Sequence, residues 1–137
     1  MLGVFAGVAV LRASGVSQAF LFSTLATFNN NTNGITPSAP PVLGPDGSLY
    51  GTTTSGNGTN RFGTIYRVTP DGVLINLHTF TSADGADALA PLMFANDGSL
   101  YGTASGGGAH NLGTIFRITT NGTFSVVYSF GVIHALM

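Results

Sequence analysis

The chain of 137 residues contains no cysteine, tryptophan, lysine or glutamate, and its charged side chains are five aspartates and four arginines. The absence of cysteine excludes disulfides and thiolate metal sites. The absence of lysine and glutamate removes two residues that favour exposed helices. The net charge of -1 gives no basic surface for nucleic acid. The 44% hydrophobic content, with so little charge, indicates a folded chain rather than a disordered one.

The first 19 residues predict an export signal. Leu2 to Leu11 are apolar, and Ser17, Gln18 and Ala19 place small residues at a cleavage site. The apolar segment is too short to span a bilayer, and Arg12 interrupts it. No positive charge precedes it, so the alternative is an amino-terminal strand or helix that belongs to the fold. We predict a secreted or cell-surface protein with no membrane span beyond the signal.

One heptapeptide occurs twice and organises the rest of the chain. Asp46–Thr52 reads DGSLYGT, and Asp97–Thr103 repeats it letter for letter. A second matching run follows each copy, GTIYRV from Gly63 and GTIFRI from Gly113. A strand ending occurs three times, as LATF, LHTF and VYSF, and it closes at Phe28, Phe80 and Phe130. A tandem repeat of this length is typical of repeat arrays and propellers.

Each repeat predicts four short antiparallel strands. Asp-Gly or Asn-Gly between runs of β-forming residues is a strong hairpin signal, because both residues tolerate positive φ. The predicted strands are 41–43, 48–53, 63–69 and 73–80 in the first unit, and 91–94, 99–103, 113–119 and 123–130 in the second. We predict an all-β fold: two four-stranded antiparallel blade-like meanders plus a leading strand, forming a partial β-propeller-like repeat array.

This division gives the domain plan. The signal covers 1–19, the leading strand and linker 20–40, the first unit 41–80, an inter-unit linker 81–90, the second unit 91–130 and a tail 131–137. Two blades alone leave outer faces open, which puts Ile65, Tyr66, Ile115 and Phe116 at risk of exposure. We therefore expect either a homo-oligomer that completes a ring or further repeats in a longer parent chain, and we favour the longer chain.

With these paired motifs, the chain resembles the GloVer-type tandem-repeat family of secreted bacterial proteins, also called choice-of-anchor tandem-repeat proteins. The resemblance covers residues 20–130, nearly the whole chain after the predicted signal. It implies export and a repeat architecture, and it implies no activity.

The glycine-rich loops between the second and third strands carry the candidate ligand site. Neither loop precedes a predicted helix, so neither is a phosphate-binding loop. Aligned on the glycines that follow, Asn60 and Arg61 correspond to His110 and Asn111. The framework repeats while these tips differ, as expected when loops carry recognition on a rigid scaffold. We predict that all four residues contact a glycan or protein ligand; the alternative is unconstrained loop drift.

Two other repeated residues have structural and functional interpretations. Tyr50 and Tyr101 could stack on a sugar, but a core aromatic is commoner inside a strand. Arg67 and Arg117 could bind an anion, and the structural alternative, which we favour, is that they bridge backbone carbonyls between blades.

No catalytic or metal-binding constellation is recognisable. The three histidines lack metal-ligand spacing, and Asp84 and Asp87 lack the ligand pattern of a calcium loop. No serine lies in a nucleophile elbow, and a carboxylate pair would have to use aspartates that form turns. We predict no cofactor and no enzymatic activity. The alternative is that these are non-catalytic blades of an extracellular polysaccharide-acting hydrolase or lyase.

Overall fold

The structure is a computed structural model that describes residues 2–4, 8–9, 21–29, 33–56 and 59–133. The predicted cleavage site at 17–19 and His134 lie outside these ranges. All regular secondary structure in the described ranges is β. No helix in these ranges is long and apolar enough to cross a membrane.

The strands fall into three groups along the chain. The amino-terminal strands are β1 (Leu2–Val4), β2 (Val8–Ala9), β3 (Leu21–Phe22) and β4 (Ala26–Phe28). The first large sheet contains β5 (Ile35–Pro37), β6 (Val42–Leu43), β7 (Leu49–Ser55), β8 (Thr64–Val68) and β9 (Leu74–Thr79). The second large sheet contains β10 (Met93–Phe94), β11 (Leu100–Ala104), β12 (Thr114–Ile118) and β13 (Phe124–Ser129).

Both large sheets are antiparallel meanders, as predicted. The orders are β6-β7-β8-β9 and β10-β11-β12-β13, with every neighbouring pair antiparallel. One strand of the first large sheet was not predicted: β5 pairs with the far end of β7, through Ile35 opposite Ser55 and Pro37 opposite Thr53. At the equivalent place, the second sheet has a single bridge between Ala86 and Gly106. The first strand of each unit is therefore discontinuous.

The Asp-Gly turns form as the sequence indicates. The Asp46 carboxylate accepts a hydrogen bond from the Ser48 backbone N–H at 3.1 Å, and Asp97 accepts one from the Ser99 N–H at 3.0 Å. The glycine that follows Asp97, Gly98, has a φ of 77°, in the left-handed region that glycine tolerates best.

A close approach explains the second glycine of each heptapeptide. Gly51 lies opposite Tyr66 across β7 and β8, and Gly102 lies opposite Phe116 across β11 and β12. In both sheets the aromatic ring lies over the glycine, where a Cβ atom would collide with it. The ring covers the bare backbone, and the glycine makes room for the ring.

Two apolar layers hold the fold together. The larger layer lies between the two large sheets and includes Tyr50, Ile65 and Phe80 from the first and Leu100, Phe116 and Ile118 from the second. The smaller layer packs β4 against the other face of the first sheet, and its buried members are Ala26, Phe28, Tyr66 and Val68. The first sheet is thus covered on both faces.

The two layers repeat the same contacts. Phe28 meets Tyr66 edge-on, with ring centroids 4.7 Å apart, and Phe80 meets Phe116 in the same way at 5.2 Å. Because Phe28 and Phe80 close equivalent strand endings, β4 occupies the place of the fourth strand of a preceding unit.

The strands β1 and β2 lie within the segment predicted as a signal. Two pairs in these strands match pairs between β8 and β9. Val4 lies opposite Ala26, as Ile65 lies opposite His78. Val8 lies opposite Phe22, as Val68 lies opposite Leu74. Together β1 to β4 have the backbone arrangement of the third and fourth strands of a unit. Cleavage after Ala19 would remove β1 and β2, whereas the side chains that pack β4 on the first sheet would remain.

Of the four residues named as at risk of exposure, three are buried. Tyr66 is covered by β4, whereas Ile65 and Phe116 lie between the sheets, and all three are 0% exposed. Only Ile115 is partly exposed, on the face of the second sheet that has no neighbour among the described residues. We call this surface the open face; it comprises Met93, Tyr101, Thr103, Ile115, Tyr128 and Phe130.

Candidate functional site

The two glycine-rich loops lie at the same end of the two large sheets, and Asn60 and Asn111 hold their shapes. The Asn60 side-chain amide donates to the Phe80 carbonyl at 3.0 Å, and its carbonyl accepts from the Phe62 N–H at 2.7 Å. The Asn111 side chain accepts a hydrogen bond from the Gly107 N–H at 3.1 Å. Asn111 also has a φ of 58°, a region that asparagine enters more readily than most residues. These two predicted site residues have defined framework contacts.

The other two predicted site residues face solvent. Arg61 and His110 are both exposed at the loop tips, as is Asn111, whereas Asn60 is partly buried. The imidazole of His110 lies beside Gly131, at the end of the second unit. We take Arg61 and His110 as the main candidates for ligand contact, because Asn111 uses its side-chain oxygen to accept the Gly107 N–H.

The segment after β9 links the two loops. It accepts the Asn60 amide at the Phe80 carbonyl, and the Ser82 carbonyl accepts a hydrogen bond from the Gly108 N–H at 2.9 Å. The backbone carbonyl of Asp84, in the same segment, accepts a hydrogen bond from the Thr114 hydroxyl at 3.0 Å. In the first unit the Asn33 carbonyl accepts the equivalent hydrogen bond from Thr64 at 3.1 Å. The loop end is a continuous hydrogen-bonded surface rather than two separate tips.

Sequence reasoning missed the role of His78. Its ring stacks on Phe124 of the second sheet, with centroids 3.7 Å apart and planes within 2°. Its Nε2 lies 3.2 Å from an Asp84 carboxylate oxygen, while the other oxygen accepts the Thr81 N–H at 2.8 Å. Burial lowers the pKa of His78, and the neighbouring Asp84 carboxylate opposes this without overcoming it. The neutral ring therefore belongs to the layer between the sheets.

The lowered pKa of His78 predicts that the folded chain loses stability in mild acid. Its pKa is lowered from 6.5 in the folded chain, so the unfolded chain takes up the proton more readily as pH falls through 6.5. The urea midpoint should thus fall between pH 7.5 and pH 5. The control is His78→Tyr, since tyrosine stands at the equivalent position 128. An equally steep fall in His78→Tyr would contradict this role.

A repeated polar cluster lies at the other end of the sheets, near the Asp-Gly turns. Arg67 Nη2 lies 2.7 Å from the Asp46 carboxylate, which also accepts the Tyr50 hydroxyl at 2.9 Å. In the second unit Arg117 pairs with Asp97 at 3.3 Å. We predicted that these arginines bridge backbone carbonyls between blades. The contacts that the structure shows for them are instead with aspartates of their own sheet.

This cluster stabilises the turn end of the sheet. Burial, followed by the hydrogen bond to Asp46, raises the pKa of Tyr50 to about 12. Partial burial opposes ionisation of Asp46, but hydrogen bonds from Ser48 and Tyr50 and the Arg67 charge together lower its pKa. Tyr50 is 0% exposed, which leaves no surface for a sugar, whereas the equivalent Tyr101 is partly exposed on the open face.

The open face contains a shallow apolar cavity of about 270 Å³ beside Met93, Tyr101 and Ile115. Its lining has no charged side chain. In the part of the chain that the structure describes, no group of three His, Cys, Asp or Glu side chains is arranged to hold a metal ion. The open face is therefore suited to apolar packing.

The fold and its surfaces define a tandem-repeat module of stacked blade-like sheets. The model of the Gloeobacter/Verrucomicrobia repeat matches residues 11–135, and the chain belongs to that family. No curated protein matches the chain.

Proposed function

We propose that the chain is an extracellular or cell-surface repeat module that serves as a structural scaffold and recognises a glycan or protein at its loop end. The observation that carries this proposal is the contrast between equivalent positions. The turn cluster, the glycine beneath an aromatic ring and the layer contacts recur in both units. The loop-tip side chains do not recur, since Asn60 and Arg61 in the first unit correspond to His110 and Asn111 in the second.

The different roles of the loop residues support the same function. Asn60 and Asn111 fix the backbone, and the segment after β9 joins the two loops. Arg61 and His110 therefore project from ordered positions, which lowers the entropy cost of engaging a ligand. Both side chains donate hydrogen bonds, so hydroxyl-rich or anionic groups are suitable partners.

The location is proposed from the predicted signal and from the low charge of the chain. A surface built from glycine, threonine, serine and asparagine is solvated by hydroxyls and amides, with few charged groups. The finer family resemblance, to secreted proteins with varied anchors, points in the same direction.

Arg61→Ala and His110→Ala should weaken ligand binding without unfolding the chain. The experiment screens the protein against bacterial surface polysaccharides and extracellular proteins, and then measures the affinity for each partner found. We expect each substitution to weaken binding about tenfold, and the melting temperature to stay unchanged because both side chains are exposed.

The control is Asp71→Asn, an exposed change in a turn at the opposite end of the first sheet. It should leave both affinity and stability unchanged. If the loop variants bind as tightly as the unaltered chain, or if Asp71→Asn weakens binding equally, the loop end is not the recognition surface.

A further inference from the structure

The first sheet has a face equivalent to the open face of the second sheet. On the first sheet, the second sheet covers that face. The equivalent first-sheet residues are Val42, Tyr50, Thr52, Ile65, His78 and Phe80. Tyr50 meets Phe94 edge-on at 5.3 Å, and the Thr52 hydroxyl donates to the Ala88 carbonyl at 2.8 Å. The first sheet therefore shows what a face of this pattern accepts: another sheet of the same repeat.

The aromatic side chains of the open face already have the arrangement of the covered one. Tyr128 and Phe130 meet edge-on with centroids 5.3 Å apart, and His78 and Phe80 have the same separation and nearly the same angle. Tyr128 is 56% exposed and Phe130 is 41% exposed, whereas Phe80 is fully buried. The open face is thus preformed for an aromatic partner that it lacks among the described residues.

The chain carries that partner at its other end. Phe124, which stacks on His78, is equivalent to Leu74 and to Phe22, because all three pair at the start of a fourth strand. Leu74 packs into the layer formed with β4. Phe22 has no such use in the described chain and is 74% exposed. Among the described residues, Phe22 is therefore an aromatic side chain with no facing ring, and the open face is the surface that matches it.

We propose that a second copy of this chain docks head to tail on the open face, with its β3–β4 segment placed so that Phe22 stacks on Tyr128. The contact repeats the stacking of Phe124 on His78. Because the two surfaces differ, the contact is heterologous, so successive copies form a closed ring or an open filament according to the rotation per step.

Light scattering of the full chain over a range of concentrations tests this proposal. The unaltered chain should form assemblies larger than a monomer. Phe22→Ser and Tyr128→Ser should each be monomeric and folded, because each removes one exposed side chain. The control Val73→Ser changes another exposed apolar residue, at the turn end, and should assemble normally. Tyr128→His should also assemble, because histidine occupies that position in the first unit.

Mixing the two monomeric variants gives the sharpest result. Each keeps one intact surface, so an equimolar mixture of Phe22→Ser and Tyr128→Ser should form a dimer with one copy of each and grow no further. An unaltered chain that stays monomeric at every concentration would overturn the proposal. So would a mixture that stays monomeric, or assembly that Tyr128→Ser abolishes and Phe22→Ser leaves intact, since that result indicates contact between two open faces.

Discussion

Replacing Phe80 by alanine should lower the free energy of unfolding by about 3–5 kcal/mol. Phe80 is fully buried between the sheets, where its ring contacts those of His78, Phe116 and Phe124. Removing the ring leaves a cavity that these neighbours, held on two different sheets, cannot close. Chemical denaturation followed by circular dichroism measures the effect.

The repeat provides the control for this change. Phe130 stands at the equivalent position in the second unit, but its ring lies on the open face and is 41% exposed. Phe130→Ala should cost less than about 1 kcal/mol in the monomer. If the two substitutions cost the same, the faces of the two sheets do not differ as the structure has them.

Gly63→Ala should cost about 3 kcal/mol or more. Gly63 has a φ of 92°, where a residue with a Cβ atom is strained by about 1–3 kcal/mol. The added Cβ would also collide with the Thr53 carbonyl, which belongs to a paired strand and cannot move aside. The Gly63 carbonyl accepts the Phe80 N–H at 3.0 Å, so any local shift also disturbs the end of β9. The melting temperature reports this loss.

Gly98→Ala is the control that measures backbone strain without a collision of the added Cβ atom. Gly98 has a φ of 77°, but no atom lies within 4 Å of the position that its Cβ would occupy. This substitution should therefore cost about 1 kcal/mol, from backbone strain alone. A loss at Gly63 no larger than the loss at Gly98 would mean that β7 and β8 do not approach as closely as described.

The strand plan could be predicted from the sequence because its signals are local. The turn at Asp97 and Gly98 depends on side-chain and backbone preferences within four residues, and the repeat provides a second copy of each signal. In contrast, β5 has no such signal. Its strand residue Pro37 is atypical of sheets, and its counterpart in the second unit is a single bridge.

The parts that could not be predicted depend on which surfaces meet. Nothing in the sequence near His78 shows that Phe124 stacks on it, because the register between two sheets is set by packing over the whole layer. The partner of Arg67 was missed for a related reason. Asp46 already caps a turn through one carboxylate oxygen, and the structure shows that its second oxygen pairs with the arginine.

The candidate site shows the same limit. The sequence identified Asn60, Arg61, His110 and Asn111 from their place in the loops, and their role in binding remains a prediction. It could not show that the Asn60 and Asn111 side chains hydrogen-bond within the framework, whereas Arg61 and His110 are exposed at the loop tips. That distinction depends on where the Phe80 carbonyl and the Gly107 N–H lie.

The central claim is that successive units stack through one repeated layer, with β4 in the place of a fourth strand. The most direct test is a nuclear Overhauser experiment on the full chain with labelled aromatic residues. Cross-peaks are predicted between the rings of Phe28 and Tyr66 and between those of Phe80 and Phe116, whose centroids are 4.7 and 5.2 Å apart. Absence of both pairs of cross-peaks, while those between paired strands within each sheet remain, would contradict the stacked arrangement.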